Sequence, residues 1–255
     1  MLIAFITTAL EKTLYNFRKG RGKVIESEHT VILGWNERVV DIIRELIIAN
    51  ESESDASVVI LSNEDKEEMD DLIAKRLPNT QTTRVITTTG DYANINELKR
   101  VNITEAKSVI LLASCSESGT YDDKLSSDVN SVKAIMAIIS CQDGTNELPI
   151  IAEIFTQEKR ELISFFNDEN IIALDSWDIM GKLLVQTSLT SGLEMVYNEM
   201  LSFDGCEVYF YESDWKGVRF KDLPFHFIDG IPLGVYSEEE GLRLRPEEDY
   251  QLVKE

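Results

Sequence analysis

The chain has 255 residues, enough for one large domain or two unequal ones. With 43% hydrophobic and 28% charged residues it reads as a soluble, globular protein. Its 46 acidic and 25 basic residues leave a net charge of −21, which repels nucleic-acid phosphates and favours cationic partners, divalent metal ions among them.

Met1 to Leu10 carry no charge, yet the run is too short to cross a bilayer and lacks the basic start of a signal peptide. Residues 11–23 then carry Lys12, Arg18, Lys19, Arg21 and Lys23 against Glu11 alone. A basic cluster after an apolar end is the cytoplasmic flank of a membrane helix. An ordinary N-terminal helix packed on the domain would read the same way.

From His29 onward, short apolar strands alternate with helical stretches. The expected strands lie at 29–35, 57–62, 83–90, 107–113, 149–155 and 170–174. The expected helices lie at 37–49, 64–76, 94–100, 125–140 and 157–166, with a long one from Trp177 towards Met200. The strands are unbroken apolar runs, so both faces of the sheet are covered. This spacing predicts an α/β fold, a Rossmann-like doubly wound parallel sheet over residues 29–200. Beyond it, residues 201–255 have the aromatic and glycine texture of a small α+β subdomain, with strands expected at 206–212 and 231–237 and another starting at 249. Its sheet is unfinished, so it packs on the first domain, packs on another copy, or is truncated.

The first strand ends in Gly34, but Asn36 and Val39 occupy the places of the second and third glycines of a dinucleotide loop. No acid directly ends the second strand, and Glu64 falls in the first turn of the next helix. On this pattern NAD is an unlikely ligand. The fold still places a crevice at the carboxyl ends of its strands, with Gly34, Asn36, Glu64 and Asp91 as its candidate residues. Asp91 reads equally as the cap of the following helix.

Glu153 lies inside an apolar strand, where a carboxylate is costly unless it is paired, hydrogen-bonded or bound to metal. Together with Asp122, Asp123 and Asp128 on the loop before it, Glu153 makes a candidate site for a divalent cation, Ca²⁺ above all. The alternative is that these acids are plain surface and strand-end residues. Cys115, Cys141 and Cys206 form no disulfide or zinc pattern, and His29 and His226 leave little for acid–base work. The chain contains no GxSxG, P-loop, HExxH or CxxC motif, so no enzyme class is indicated and no catalytic residue is assigned.

Several segments together resemble the RCK-like (regulator of K⁺ conductance) region of Castor/Pollux-type ion channels: FRKGRGKV (17–24), HTVILGWNERV (29–39), the stretch across 48–70, IIAEI (150–154), DSWDIMGKLLVQTS (175–188), CEVYFY (206–211) and IPLGVY (231–236). The resemblance implies a gating module that regulates a K⁺ or Ca²⁺ channel from the cytoplasmic side of the cell membrane. It implies that residues 1–28 are the end of a pore-lining helix and its basic linker. It also implies a tetrameric or eight-domain ring, and a C-terminal subdomain that continues past Glu255. Some members of this fold bind Ca²⁺ through a fifth-strand glutamate like Glu153, but their partner positions here hold Leu112 and Phe155. Two other classes share the fold: the nucleotide-binding regulatory subunit of a K⁺ uptake transporter, and an NAD-dependent oxidoreductase.

Overall fold

The computed structural model describes residues 19–252 except 117, 143–146, 167 and 238–239. The apolar run Met1–Leu10 therefore lies outside the described residues. The chain divides into two compact units, Met1–Glu207 and Val208–Glu255.

The first unit is built on six parallel strands: β1 (His29–Leu33), β2 (Ser57–Ser62), β3 (Arg84–Thr89), β4 (Ala106–Leu111), β5 (Ile150–Glu153) and β6 (Ile171–Leu174). Their order across the sheet is β3-β2-β1-β4-β5-β6. This is the doubly wound order, with its switch point between β1 and β4. The helices are α1 (Val39–Ala49), α2 (Lys66–Arg76), α3 (Ile95–Arg100), α4 (Tyr121–Cys141), α5 (Gln157–Ser164), α6 (Ser176–Leu189) and α7 (Leu193–Leu201).

Alternate residues of each central strand feed the two faces of the sheet. Val31, Leu33, Val59, Leu61, Val109 and Leu111 pack with Leu98 of α3, Val132, Ile135 and Ile138 of α4, and Ile163 of α5. Ile32, Val58 and Ile60 pack on the other face with Val39, Val40, Ile43 and Ile47 of α1 and Met69 and Ile73 of α2. This two-sided burial explains why β1 and β2 are apolar throughout rather than alternating. His29 opens β1, is fully buried, and bonds through Nε2 to the carbonyl of Val101 at 3.0 Å.

Several boundaries differ from the expectation. Helix α4 begins at Tyr121 rather than near 125, because Thr120 and Asp123 form a reciprocal capping box. The long helix expected from Trp177 to Met200 is two helices, divided at Thr190–Gly192, where Gly192 takes φ +86°. Glu64 precedes its helix instead of lying in the first turn, since Asp65 is the cap and accepts the Glu67 N–H at 2.9 Å. Asp91 does not cap α3. It turns the chain by accepting the Ala93 N–H at 2.9 Å, and Asn94 provides the cap.

The second unit holds one antiparallel pair, β7 (Gly234–Ser237) and β8 (Gly241–Leu244), and a 3₁₀ segment at Phe220–His226. A strand was expected at 206–212 and none forms there, whereas β8 was not anticipated. Among the described residues from 249, the only pairing is an isolated bridge, Arg219 to Gln251. The aromatic residues of 206–212 are used otherwise: Tyr211 meets Trp215 and Phe227, which also stack obliquely on each other. Gly234 lets two backbones touch, since a Cβ there would lie 2.3 Å from the carbonyl oxygen of Arg243.

Candidate functional site

The carboxyl ends of β1, β4 and β5 meet at the switch point, where a doubly wound sheet binds its ligands. Gly34 ends β1 with φ +96°, and a Cβ there would stand 2.9 Å from the carbonyl oxygen of Leu112. Glycine is required for that close approach. Asn36 then pins the turn. Its Oδ1 accepts the Arg38 N–H at 3.0 Å, and its Nδ2 donates to the Ala113 carbonyl at 3.3 Å. The amide thus ties the β1–α1 turn to the end of β4, in the place where a second glycine would leave room.

Beside this tie lies a crevice of about 420 Å³, lined by Ser114, Cys115, Ser116, Gly119, Asp123 and Asn130 among others. It is rich in hydroxyl and amide groups, and burial raises the Cys115 thiol pKa. Of the four residues assigned to the crevice from sequence, Gly34 and Asn36 stand at this switch point. Glu64 and Asp91 are exposed at the ends of β2 and β3.

Glu153 ends β5 at 8% exposure. Its carboxylate is fully engaged. Arg38 at the entry to α1 pairs with Oε1, the Ser176 hydroxyl donates to the same oxygen at 2.7 Å, and the Ala113 N–H donates to Oε2 at 3.3 Å. The cost of burying the charge is met by a guanidinium and two donors. The result is a brace joining α1, β4, β5 and the first residue of α6.

Two of the three remaining acids of the cation set also have structural work. Asp128, fully buried in α4, accepts the N–H groups of Phe155 at 3.0 Å and Thr156 at 2.7 Å, and the Thr156 hydroxyl at 2.7 Å. Asp123 belongs to the capping box, where the hydroxyl and N–H of Thr120 hold its carboxyl below the usual range. Asp122 is exposed in the first turn of α4. Among the described residues, no group of three or more His, Cys, Asp or Glu is placed to hold a metal ion. Of the four acids expected to converge, Glu153, Asp128 and Asp123 serve separate hydrogen-bonding tasks, and Asp122 is exposed.

Two further links were not legible in the sequence. The Lys124 ammonium of α4 lies 4.3 Å from the ring centre of Trp177 in α6 and 5.5 Å from that of Phe155. Asp175 caps α6 through the Trp177 and Asp178 N–H groups and pairs with Arg160 of α5 at 2.8 Å. The start of α6 is thus held by side chains from α4, β5 and α5. The buried carboxylate of Glu153 signalled a need for a partner, but nothing local in the sequence pointed to Arg38.

Two family models divide the chain between them. Residues 26–161 match the calcium-activated potassium channel slowpoke-like RCK domain, 136 of 255 residues. Residues 177–255 match the Castor and Pollux model, described as part of a voltage-gated ion channel. The chain belongs to the slowpoke-like RCK domain family, and its remainder matches the Castor and Pollux model. It is similar to the probable ion channel CASTOR of Oryza sativa subsp. japonica, at 28% identity over 99% of this chain and 28% of that protein. It is also similar to the probable ion channel POLLUX of Arabidopsis thaliana, at 29% identity over 98% of this chain and 30% of that protein. The chain therefore spans less than a third of the length of these relatives. Among solved structures, the human SLO3 gating ring shares the fold at 15% identity and a TM-score of 0.54, over 89% of this chain and 42% of that one.

The reading of NAD as an unlikely ligand is corrected. A GsuK channel bound to NAD matches over 67% of this chain and 26% of that chain, at 17% identity and a TM-score of 0.40. Both matching family models describe ion-channel regions, and neither describes the NAD-dependent oxidoreductase kept as an alternative. No described helix is long and apolar enough to cross a membrane.

Proposed function

We propose that this chain is the cytosolic gating module of a membrane cation channel, joined to the pore through its N-terminal segment and assembled with copies of itself into a ring. The observation that carries the assembly is the state of α6 and α7. Neither helix has a single buried residue within the chain. Their apolar side chains face outward, with Leu184 at 63%, Leu189 at 80% and Met195 at 71% exposure. A helix of this composition gains most of its stability by burying an apolar face, and here that face awaits another subunit. The names of the similar proteins, ion channels throughout, supply the channel.

The polar crevice at the switch point is the place for the ligand. A ligand acts there by binding one arrangement of the module better than another. The brace from Arg38 through Glu153 to Ser176, and the Lys124–Trp177 contact, run from the crevice region to the start of α6. Both routes let occupancy at the sheet edge bias the interface helix.

Light scattering on the 255-residue chain tests the assembly. The expected result is a dimer or larger species that falls to monomer when Leu184→Asp and Leu189→Asp are combined. The melting temperature of the monomer should barely move, since both positions are exposed. A wild-type chain that stays monomeric at high concentration would overturn the reading.

A further inference from the structure

Residues 19–28 contain no helix or strand, yet they are bound along the rim formed by β3, α3 and the 3₁₀ turn at Ile103–Glu105. Val24 is buried, and its N–H donates to the Arg100 carbonyl at 2.9 Å. The Thr89 N–H donates to the Gly20 carbonyl at 3.2 Å, and the Glu28 N–H to the Glu105 carbonyl at 2.7 Å. The Asn102 amide donates to the Glu26 carbonyl at 2.8 Å, and Arg84 pairs with the Glu26 carboxylate at 2.6 Å.

At the centre stands the Arg100 guanidinium, 14% exposed. Nη1 donates to the carbonyls of Gly20 at 2.7 Å and Gly22 at 3.1 Å. Nη2 donates to the Thr89 carbonyl at 2.9 Å and to Glu97, and Nε donates to Glu97 at 2.7 Å. An arginine has five N–H donors, and all five are used. Glu97 balances the charge, so the two bonds to the segment need no acid on the segment itself. Gly20 takes φ +66° with its would-be Cβ 2.9 Å from the Thr89 nitrogen, so glycine is needed for this close approach to the end of β3.

We propose that Arg100 is the positioning residue that pins residues 20–28 of the connecting segment to the module, so that this stretch moves with the module instead of lengthening the tether to the pore. The inference rests on the gating reading above. Releasing residues 20–28 would add a slack of up to about 30 Å at 3.3–3.6 Å per residue, and a slack tether transmits displacement poorly. Lysine cannot substitute, since it has three donors on one atom and lacks the planar fork.

The test uses the intact channel protein that carries this chain, reconstituted in planar lipid bilayers, with steady-state open probability as the readout. Four forms are compared: wild type, Arg100→Met, a flexible Gly-Ser insertion of roughly nine residues directly before Lys19, and the two changes combined. Amide exchange on the same proteins checks the local effect. Exchange at Val24 and Thr89 should accelerate in Arg100→Met while Leu33 and Ile60 keep their protection. The insertion and Arg100→Met should each shift open probability in the same direction by about fivefold or more, the lower end of ordinary coupling factors. The combination should go no further than the larger single shift, because both lengthen one tether. If Arg100→Met does not fold, Arg100→Lys takes its place under the same exchange check. An insertion that shifts gating while the released Arg100 variant does not would overturn the pin and leave the gating reading intact. Unchanged exchange at Val24, or fully additive shifts, would also overturn it. If neither change alters gating, the gating reading fails and the pin with it.

Discussion

Helices α1 and α6 each follow a parallel strand of the same sheet and each carries a row of apolar side chains. Helix α1 buries Val39, Val40, Ile43 and Ile47 against β1 and β2. Helix α6 buries none, and the strand before it, β6, has only Ile171 fully covered. The β1–β2 side of the sheet is complete within one chain, and the β6 side is not. Apolar periodicity reports that a face will be covered, without reporting which molecule covers it.

The sharpest way to break this comparison is a matched pair of truncations. Ile43→Ala removes a fully buried side chain and should lower unfolding free energy by about 2–5 kcal/mol. Leu184→Ala, measured by urea unfolding at a dilution where subunits are separate, should change it by no more than about 0.5 kcal/mol. Equal costs would show that α6 is packed within the chain after all.

A smaller effect is expected where α4 holds the end of β5. Asp128→Ala leaves the N–H groups of Phe155 and Thr156 and the Thr156 hydroxyl without their acceptor. The expected loss is about 1–3 kcal/mol. Amide exchange should accelerate at Phe155 and Thr156 before it does at Val31. A variant as stable as wild type would show that water satisfies this turn and that the completed region ends at β4.

The smallest effect is one of pH. Burial lowers the pKa of His29, outweighing the Val101 carbonyl that favours its charged form. Its Nδ1 is buried without a hydrogen-bond partner, so protonation would add an unpaired donor. The unfolded chain then holds the proton more readily than the fold. The stability this contributes is present above the ordinary histidine pKa and is lost as pH falls through it towards the lower folded value. Urea midpoints followed from about pH 8 to about pH 5 should fall less steeply in His29→Gln than in wild type. Identical slopes would remove His29 from the account.

The sheet was legible because burial on two faces leaves a strong trace. The runs HTVIL, SVVILS and IIAE, spaced by helical stretches, allow little besides a doubly wound parallel sheet. The resemblance to Castor/Pollux-type channels was carried by segments of that same framework. The capping box at Thr120–Asp123 and the break at Thr190–Gly192 leave only weak traces, since their signals are single residues inside polar or apolar runs.

The sequence by itself determined the order of strands and helices, the apolar core and the need of Glu153 for a partner. Only the tertiary structure decided that the partner is Arg38, 115 positions away, that Asp128 serves the turn after β5, and that Arg100 holds the segment before β1. The physical reason is common to all three. Burial is recorded along the chain as a local pattern, because each strand or helix must present its own apolar face. A buried charge records only its cost, and the donors that meet that cost come from wherever the fold brings them within hydrogen-bond reach.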